Sequence, residues 1–237
     1  MHHTIEVEGV SFSYPNGYEA LRDITFSIGP NEKVALIGPN GAGKSTLMLH
    51  LNGLLRCQHG TIRVGGLPIS DENLGQIRAW VGLVFQNADD QLFSPRVFDD
   101  VAFGPLHMGL PADEVRQRSI EALEAVGMAA YADHISHQLS IGQKKRVAIA
   151  TVLSMGPKIL VMDEPTAGLD PRARRSLINL LSEMERTMLI ATHDVFMVRE
   201  LFPRTIVMDE GHIVANGPTS DILADEGLLV AHGLELF

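Results

Sequence analysis

The order of segments in this chain predicts an α/β fold, in which a mixed and mainly parallel sheet is joined by an antiparallel β layer and interrupted by a helical lobe. Three observations predict it. Continuous apolar runs at residues 34–37, 159–162 and 188–191, and the Thr-led run at 205–208, suit strands buried on both faces. Shorter β-forming stretches at 5–14, 24–28 and 61–64 sit between turn signals such as Asn16-Gly17 and Gly65-Gly66. Between the two groups lies a long region that reads mainly as helix and loop.

Taken in order, the β-forming stretches build an antiparallel layer. The apolar strand at 34–37 is followed by a glycine-rich loop and then an amphipathic helix over 45–55. From 111 to 126 the residues Val115, Ala122, Leu123 and Val126 recur at helical spacing, and Asp113 and Glu114 stand in the first turn, where they complement the helix dipole. A helix over 172–185 separates two of the later strands, Glu210-Gly211 predicts a final hairpin, and Ser220 begins a short terminal helix. There is no internal repeat.

Composition limits the function classes. The chain has 237 residues, 45% hydrophobic and 20% charged, in the globular range and long enough to bury a large core. Its 19 Lys+Arg against 29 Asp+Glu give a formal charge of -10, so the average surface repels a nucleic-acid backbone and any anion site must be local. A single cysteine, Cys57, cannot close an intramolecular disulfide, which fits a reducing cytosol. No run reaches the roughly 18 to 20 apolar residues of a membrane span. The first residues lack a signal-peptide core, so any membrane role is expected to be peripheral. The ten His residues include His2, His3, His134 and His137, but pairs without a third ligand read as structural rather than metal-binding.

Two motifs carry the chemistry, the second gaining its weight from the first. Gly38-Pro39-Asn40-Gly41-Ala42-Gly43-Lys44-Ser45 fits GxxxxGK[ST] and lies between a strand and a helix, the context that makes it a phosphate loop, with Thr46 in the first helical turn. Glycines let successive amides and the helix start face a phosphate, Lys44 reaches the β and γ oxygens, and Ser45 can ligate Mg²⁺. The strand at 159–162 ends in Asp163-Glu164, at the sheet edge where open α/β folds bind ligands. Asp163 is the expected second Mg²⁺ residue, and Glu164 the expected general base for an attacking water.

Leu139-Ser140-Ile141-Gly142-Gln143 resembles the LSGGQ signature of ABC ATPases, although Ile141 stands where Gly is commoner. Ser140 with Gln143 is also an S-x-x-Q capping box, and both readings can hold. The resemblance spans Tyr14 to about Gly217. It implies an ABC ATPase fold in one domain, residues 1–237, with a RecA-like core and β layer at 1–85 and 158–237 and a helical subdomain at 86–157. It implies ATP with Mg²⁺ as cofactors, and a homodimer in which Ser140, Gly142 and Gln143 of one molecule complete the ATP site of the other. It further implies that Tyr14 stacks on adenine, that Gln86 senses Mg²⁺ and water, that Asp170 belongs to the D-loop, and that His193 contacts the γ-phosphate. A helix start accepts Ile at 141, so its amide is expected to stay usable with the side chain turned away.

The segments 84–93 and 99–105, with 143–150, are similar to the ATPases of energy-coupling factor importers, most of all the cobalt/nickel branch. This implies a motor on the cytoplasmic face of the cell membrane, working with an integral membrane coupling protein and a substrate-binding membrane subunit, and not with nucleic acid. The segment with Asp89, Asp90, Phe93 and Phe98 then reads as the docking groove for that partner. An ABC-type mechanical ATPase of DNA repair or translation is the alternative. Against it, the chain has no long coiled-coil insertion, no second cassette and no basic face.

Overall fold

The computed structural model describes residues 3–234, which divide into two compact units. The first is built from the chain up to Val81, Lys158–Asp163 and the chain from Glu185 onward; the second from Gly82–Pro157 and Glu164–Met184.

The first unit opens with β1 (Ile5–Ser13) and β2 (Glu19–Ile28), paired antiparallel with Ile5 opposite Ile28. A bulge after Val7, where Gly9 takes φ +60, returns Val10 and Phe12 to the buried face that Ile5 and Val7 began. Then come β3 (Lys33–Ile37), α1 (Lys44–Leu51), β4 (His59–Val64), β5 (Leu67–Pro68) and α2 (Leu74–Trp80). The antiparallel sheet runs β2-β1-β4-β5. Helix α1 stops four residues short of the expected end, because Gly53 at φ +70 turns the chain and sends its amide back to the His50 carbonyl.

The chain passes through β6 (Val81–Val84) into the second unit, which holds α3 (Val97–His107), α4 (Ala112–Ala125) and α5 (Ile141–Leu153). It returns to the first unit in β7 (Ile159–Asp163), gives α6 (Pro171–Glu183) to the second, and finishes in the first. Those last elements are β8 (Thr187–Ala191), α7 (Val195–Leu201), β9 (Arg204–Asp209), β10 (His212–Pro218), α8 (Thr219–Ala224) and α9 (Glu226–Ala231). Five strands of the first unit run β10-β9-β3-β8-β7, parallel except for the β9–β10 hairpin. Every residue of β7 and β8 is buried, which is why both read as unbroken apolar runs. Each large aliphatic side chain there contributes about 1.5–3 kcal/mol.

Helix α3 lies in the stretch expected to be mainly helix and loop, and it holds Pro105 in its interior. Proline has no amide for the Val101 carbonyl one turn back; the Ser154 hydroxyl supplies the missing donor at 2.8 Å. Buried Asp100 then ties the preceding loop to α3, accepting from the amides of Phe93 at 3.0 Å and Ser94 at 2.8 Å and from the Ser136 hydroxyl at 2.7 Å.

Candidate functional site

The carboxyl ends of the parallel strands in the first unit bring the phosphate loop, Asp163 and His193 to one edge of the sheet. Between β3 and α1 the loop is shaped from outside. A Cβ on Gly38 would lie 2.0 Å from the Met208 carbonyl oxygen, and one on Gly43 would lie 2.4 Å from that of Ala20. At the tip the Ala42 amide returns to the Pro39 carbonyl at 3.2 Å, with Gly41 at φ +83 in the third position, where this kind of turn demands a positive φ. Asn40 is the residue before it. The Gly211 amide holds the Ala42 carbonyl, and the Tyr18 hydroxyl donates to the Gly41 carbonyl at 2.9 Å.

Lys44 is buried at the first position of α1, and its ammonium donates to the carbonyls of Gly38 at 2.6 Å and Pro39 at 2.9 Å. The N-cap is Gly43, so no side chain caps the first-turn amides, and an anion suits that position. The Ser45 hydroxyl donates to Asp163 Oδ2 at 2.5 Å. A hydroxyl and a carboxylate are hard oxygen donors, so this pair fits Mg²⁺ held together with phosphate oxygens and water. Burial, with the Lys44 charge adding to it and Asp163 opposing, lowers the proton affinity of His193.

Tyr14 leads the β1–β2 turn, which closes through its amide to the Tyr18 carbonyl at 2.9 Å. Its hydroxyl shares a 3.0 Å hydrogen bond with Thr46, and its ring stands edge-on to Phe12 at 5.1 Å. The expected base-stacking side chain is thereby tied to the helix that follows the phosphate loop.

Glu164, the next residue after Asp163, is buried and has φ +46, a left-handed backbone that a residue with a Cβ adopts only at a cost of about 1–2 kcal/mol. In its unit, Ser140 caps α5 in a complete capping box: the Gln143 amide donates to the Ser140 hydroxyl at 3.3 Å, and the Ser140 amide to Gln143 Oε1 at 2.9 Å. Gly142 packs closely, for a Cβ there would lie 3.3 Å from Leu169. Gln86 lines a cavity of about 440 Å³ with Asp89, Ile141, Lys144, Lys145 and Gly168. Gln91 braces that segment, accepting from the Phe85 amide and donating to Ala148 and Thr151. Asp170 caps α6; the Ala173 amide, then that of Arg172 with the Arg146 and Arg172 charges, holds its carboxyl below the usual range.

Ile141 is 66% exposed at the first position of α5. Replacing it with Gly is expected to keep the ATP turnover number within about tenfold, or about 1.4 kcal/mol; complete loss in a steady-state assay would assign the side chain a specific contact.

Tyr18 and Lys145 were not singled out by sequence. His2 lies outside the described residues. His3 stands edge-on to Trp80 and His134 against Tyr131. Among the described residues no group of three or more His, Cys, Asp or Glu could hold a metal ion, and no helix is long and apolar enough to cross a membrane.

The ABC transporter family model matches residues 21–167. A relative in Geobacter sulfurreducens, described as an ABC transporter ATP-binding protein, is 54% identical over 99% of this chain and 94% of its own length. The energy-coupling factor transporter ATP-binding protein EcfA of Methanothermobacter thermautotrophicus is 48% identical, covering 98% of this chain and 76% of that one. Among solved structures, CbiO1 from Clostridium perfringens, part of the ABC transporter complex CbiONQ, superposes with a TM-score of 0.85 at 40% identity over 100% of this chain and 96% of that one. The dimeric post-hydrolysis state of the cassette MJ0796, bound to ADP and Pi, gives a TM-score of 0.83 at 27% identity over 91% of this chain and 98% of that one.

Proposed function

The chain belongs to the ABC transporter family of ATP-binding proteins, and on that premise we propose that it is the ATP-hydrolysing motor of an energy-coupling factor importer, carrying cobalt or nickel through membrane subunits. One observation carries the ATPase reading: the Ser45 hydroxyl is hydrogen-bonded at 2.5 Å to Asp163, and Glu164 follows in the chain. Lys44 and the start of α1 bind the phosphates, and Ser45 with Asp163 would hold Mg²⁺, which when bound neutralises charge developing on them. Gln86 and His193 orient the water and the γ-phosphate. Glu164 takes a proton from the water as its oxygen bonds to the γ-phosphorus and the bond to the β–γ bridging oxygen breaks. The relatives' names support the importer reading, and the dimeric MJ0796 cassette supports a sandwich in which Ser140, Gly142 and Gln143 complete the opposite site. ATP shifts the equilibrium toward closure by its differential affinity for the closed state.

The motor works at the cytoplasmic face, peripheral to the membrane, with an integral coupling protein and a substrate-binding membrane subunit. Phe93 supports a docking role, being 62% exposed, 4.8 Å from Phe103 in an edge-on pair, and fixed through its amide by Asp100. Phe98 is half-buried, and Asp89 is ion-paired to Lys144 at 2.7 Å. An apolar anchor within a polar rim suits an amphipathic helix. In the reconstituted transporter, Phe93→Ala is expected to reduce metal uptake at least about tenfold, the size of a modest hot spot, while basal ATPase stays within about twofold. Equal loss of uptake and hydrolysis would refute this docking site.

A further inference from the structure

Two adjacent lysines in α5 have opposite environments. Lys144 reaches the surface pair with Asp89, whereas Lys145 is 9% exposed, and its ammonium donates to the main-chain carbonyl of Glu164 at 2.7 Å. The same carbonyl accepts the Ala167 amide at 3.2 Å, so both of its acceptor directions are used. A buried ammonium is a demanding donor, because desolvation penalises its charge unless acceptors meet it. Here it meets the backbone of a residue in left-handed conformation, a state that persists only where its surroundings over-determine it. Lys145 also shares a cavity wall with Gln86 and Ile141.

We propose that Lys145 is a positioning residue for hydrolysis: by gripping the Glu164 carbonyl it fixes the peptide beyond the base and so the direction of the base carboxylate. It acts through Glu164 and touches no reacting atom. Its place on the helix capped by Ser140 adds a consequence. When that helix start meets the triphosphate held by a second copy, the load reaches Glu164 of the same molecule through one rigid element, so each molecule's base is set as its own signature helix engages. The inference rests on Glu164 being the general base.

The test compares Lys145→Met, Lys145→Gln and Lys145→Arg with Glu164→Gln in steady-state ATPase assays. Bound-ATP stoichiometry, ATP-dependent dimerisation and unfolding temperature are measured on the same preparations. Lys145→Met is expected to lower kcat about 30-fold with KM within about threefold, full ATP stoichiometry and dimerisation intact, since a full misplacement of about 1 Å costs about a hundredfold and the loss of one backbone anchor shifts the base by less. Arg, which keeps a charged donor, is expected to restore kcat to within about threefold, and Gln to fall between, following donor strength. A merely structural role would lower stoichiometry and unfolding temperature together with rate. The inference is overturned if kcat of Met and Gln variants stays within twofold of the parent, or if their loss tracks the loss of sites that bind ATP. Should Met not fold, the Gln and Arg pair decides by the same criteria. A Glu164→Gln protein that still hydrolyses ATP would instead overturn the reading of Glu164, whatever the lysine variants do.

Discussion

Glu164→Gln is expected to lower ATP hydrolysis about a thousandfold, or about 4 kcal/mol, while leaving MgATP bound. Gln has nearly the shape of Glu and can occupy the same buried space, but its amide cannot take a proton from water. The residues expected to bind the nucleotide are elsewhere: Lys44 at the start of α1, Ser45 beside Asp163, and Tyr14 tied to Thr46. In the proposed mechanism Glu164 faces the γ-phosphate, so removing its charge also removes a repulsion, and the closed state gains affinity while its exit through hydrolysis is blocked. The variant should therefore accumulate as an ATP-loaded dimer, visible as a doubled mass in size-exclusion chromatography with MgATP and absent with ADP. A protein that stays monomeric at saturating MgATP would exclude sandwich closure. The same model requires the specific activity of the unaltered protein to fall on dilution, since a lone molecule lacks the helix start that its partner provides.

What was legible in the sequence, and what was not, follows from how far each signal reaches along the chain. The phosphate loop and Asp163-Glu164 are local patterns on strands buried on both faces, so residue type and order sufficed. For α3 only a stretch of helix and loop without bounds was legible, and its interior proline is tolerated through Ser154, 53 residues from the Val101 carbonyl it satisfies. The end of α1 was misplaced because apolar Leu54 and Leu55 continue the pattern past the glycine that stops it. Lys145 entered only through the resemblance of segment 143–150, and beside Lys144 and Arg146 its residue type does not set it apart from a solvated cation. Helical spacing carried a signal that it was not: Lys145 stands four residues before Ile149 and seven before Val152, both buried, and so shares their face. Tyr18 had no periodic signal, since its bond to Gly41 depends on how a turn folds over a loop. The second unit's claim on Glu164–Met184 likewise follows from packing and not from order along the chain.

The phosphate loop offers the other large effect, and it separates two roles of glycine. Gly38→Ala is expected to destabilise the protein by about 3 kcal/mol, the size typical of forced overpacking. At this chain length that lowers the unfolding midpoint by roughly 6–12 °C. The added Cβ would lie 2.0 Å from the carbonyl oxygen of Met208 and 3.0 Å from its carbon. Both atoms are backbone in β9, whose Val207 is paired with Ile37 in β3, so no rotamer change relieves the clash. Either the strands part or the loop moves. Movement by about 1 Å would displace amides that must face the phosphates, and MgATP affinity should fall about a hundredfold. Gly41 provides the contrast, for it also has a positive φ, +83, yet nothing lies within 4 Å of a Cβ placed there. Gly41→Ala should cost only the conformational strain of about 1–2 kcal/mol. Calorimetry without nucleotide and equilibrium binding of MgATP would rank the two. If Gly41→Ala proved as damaging as Gly38→Ala in both, backbone conformation rather than the approach of Met208 would govern the loop.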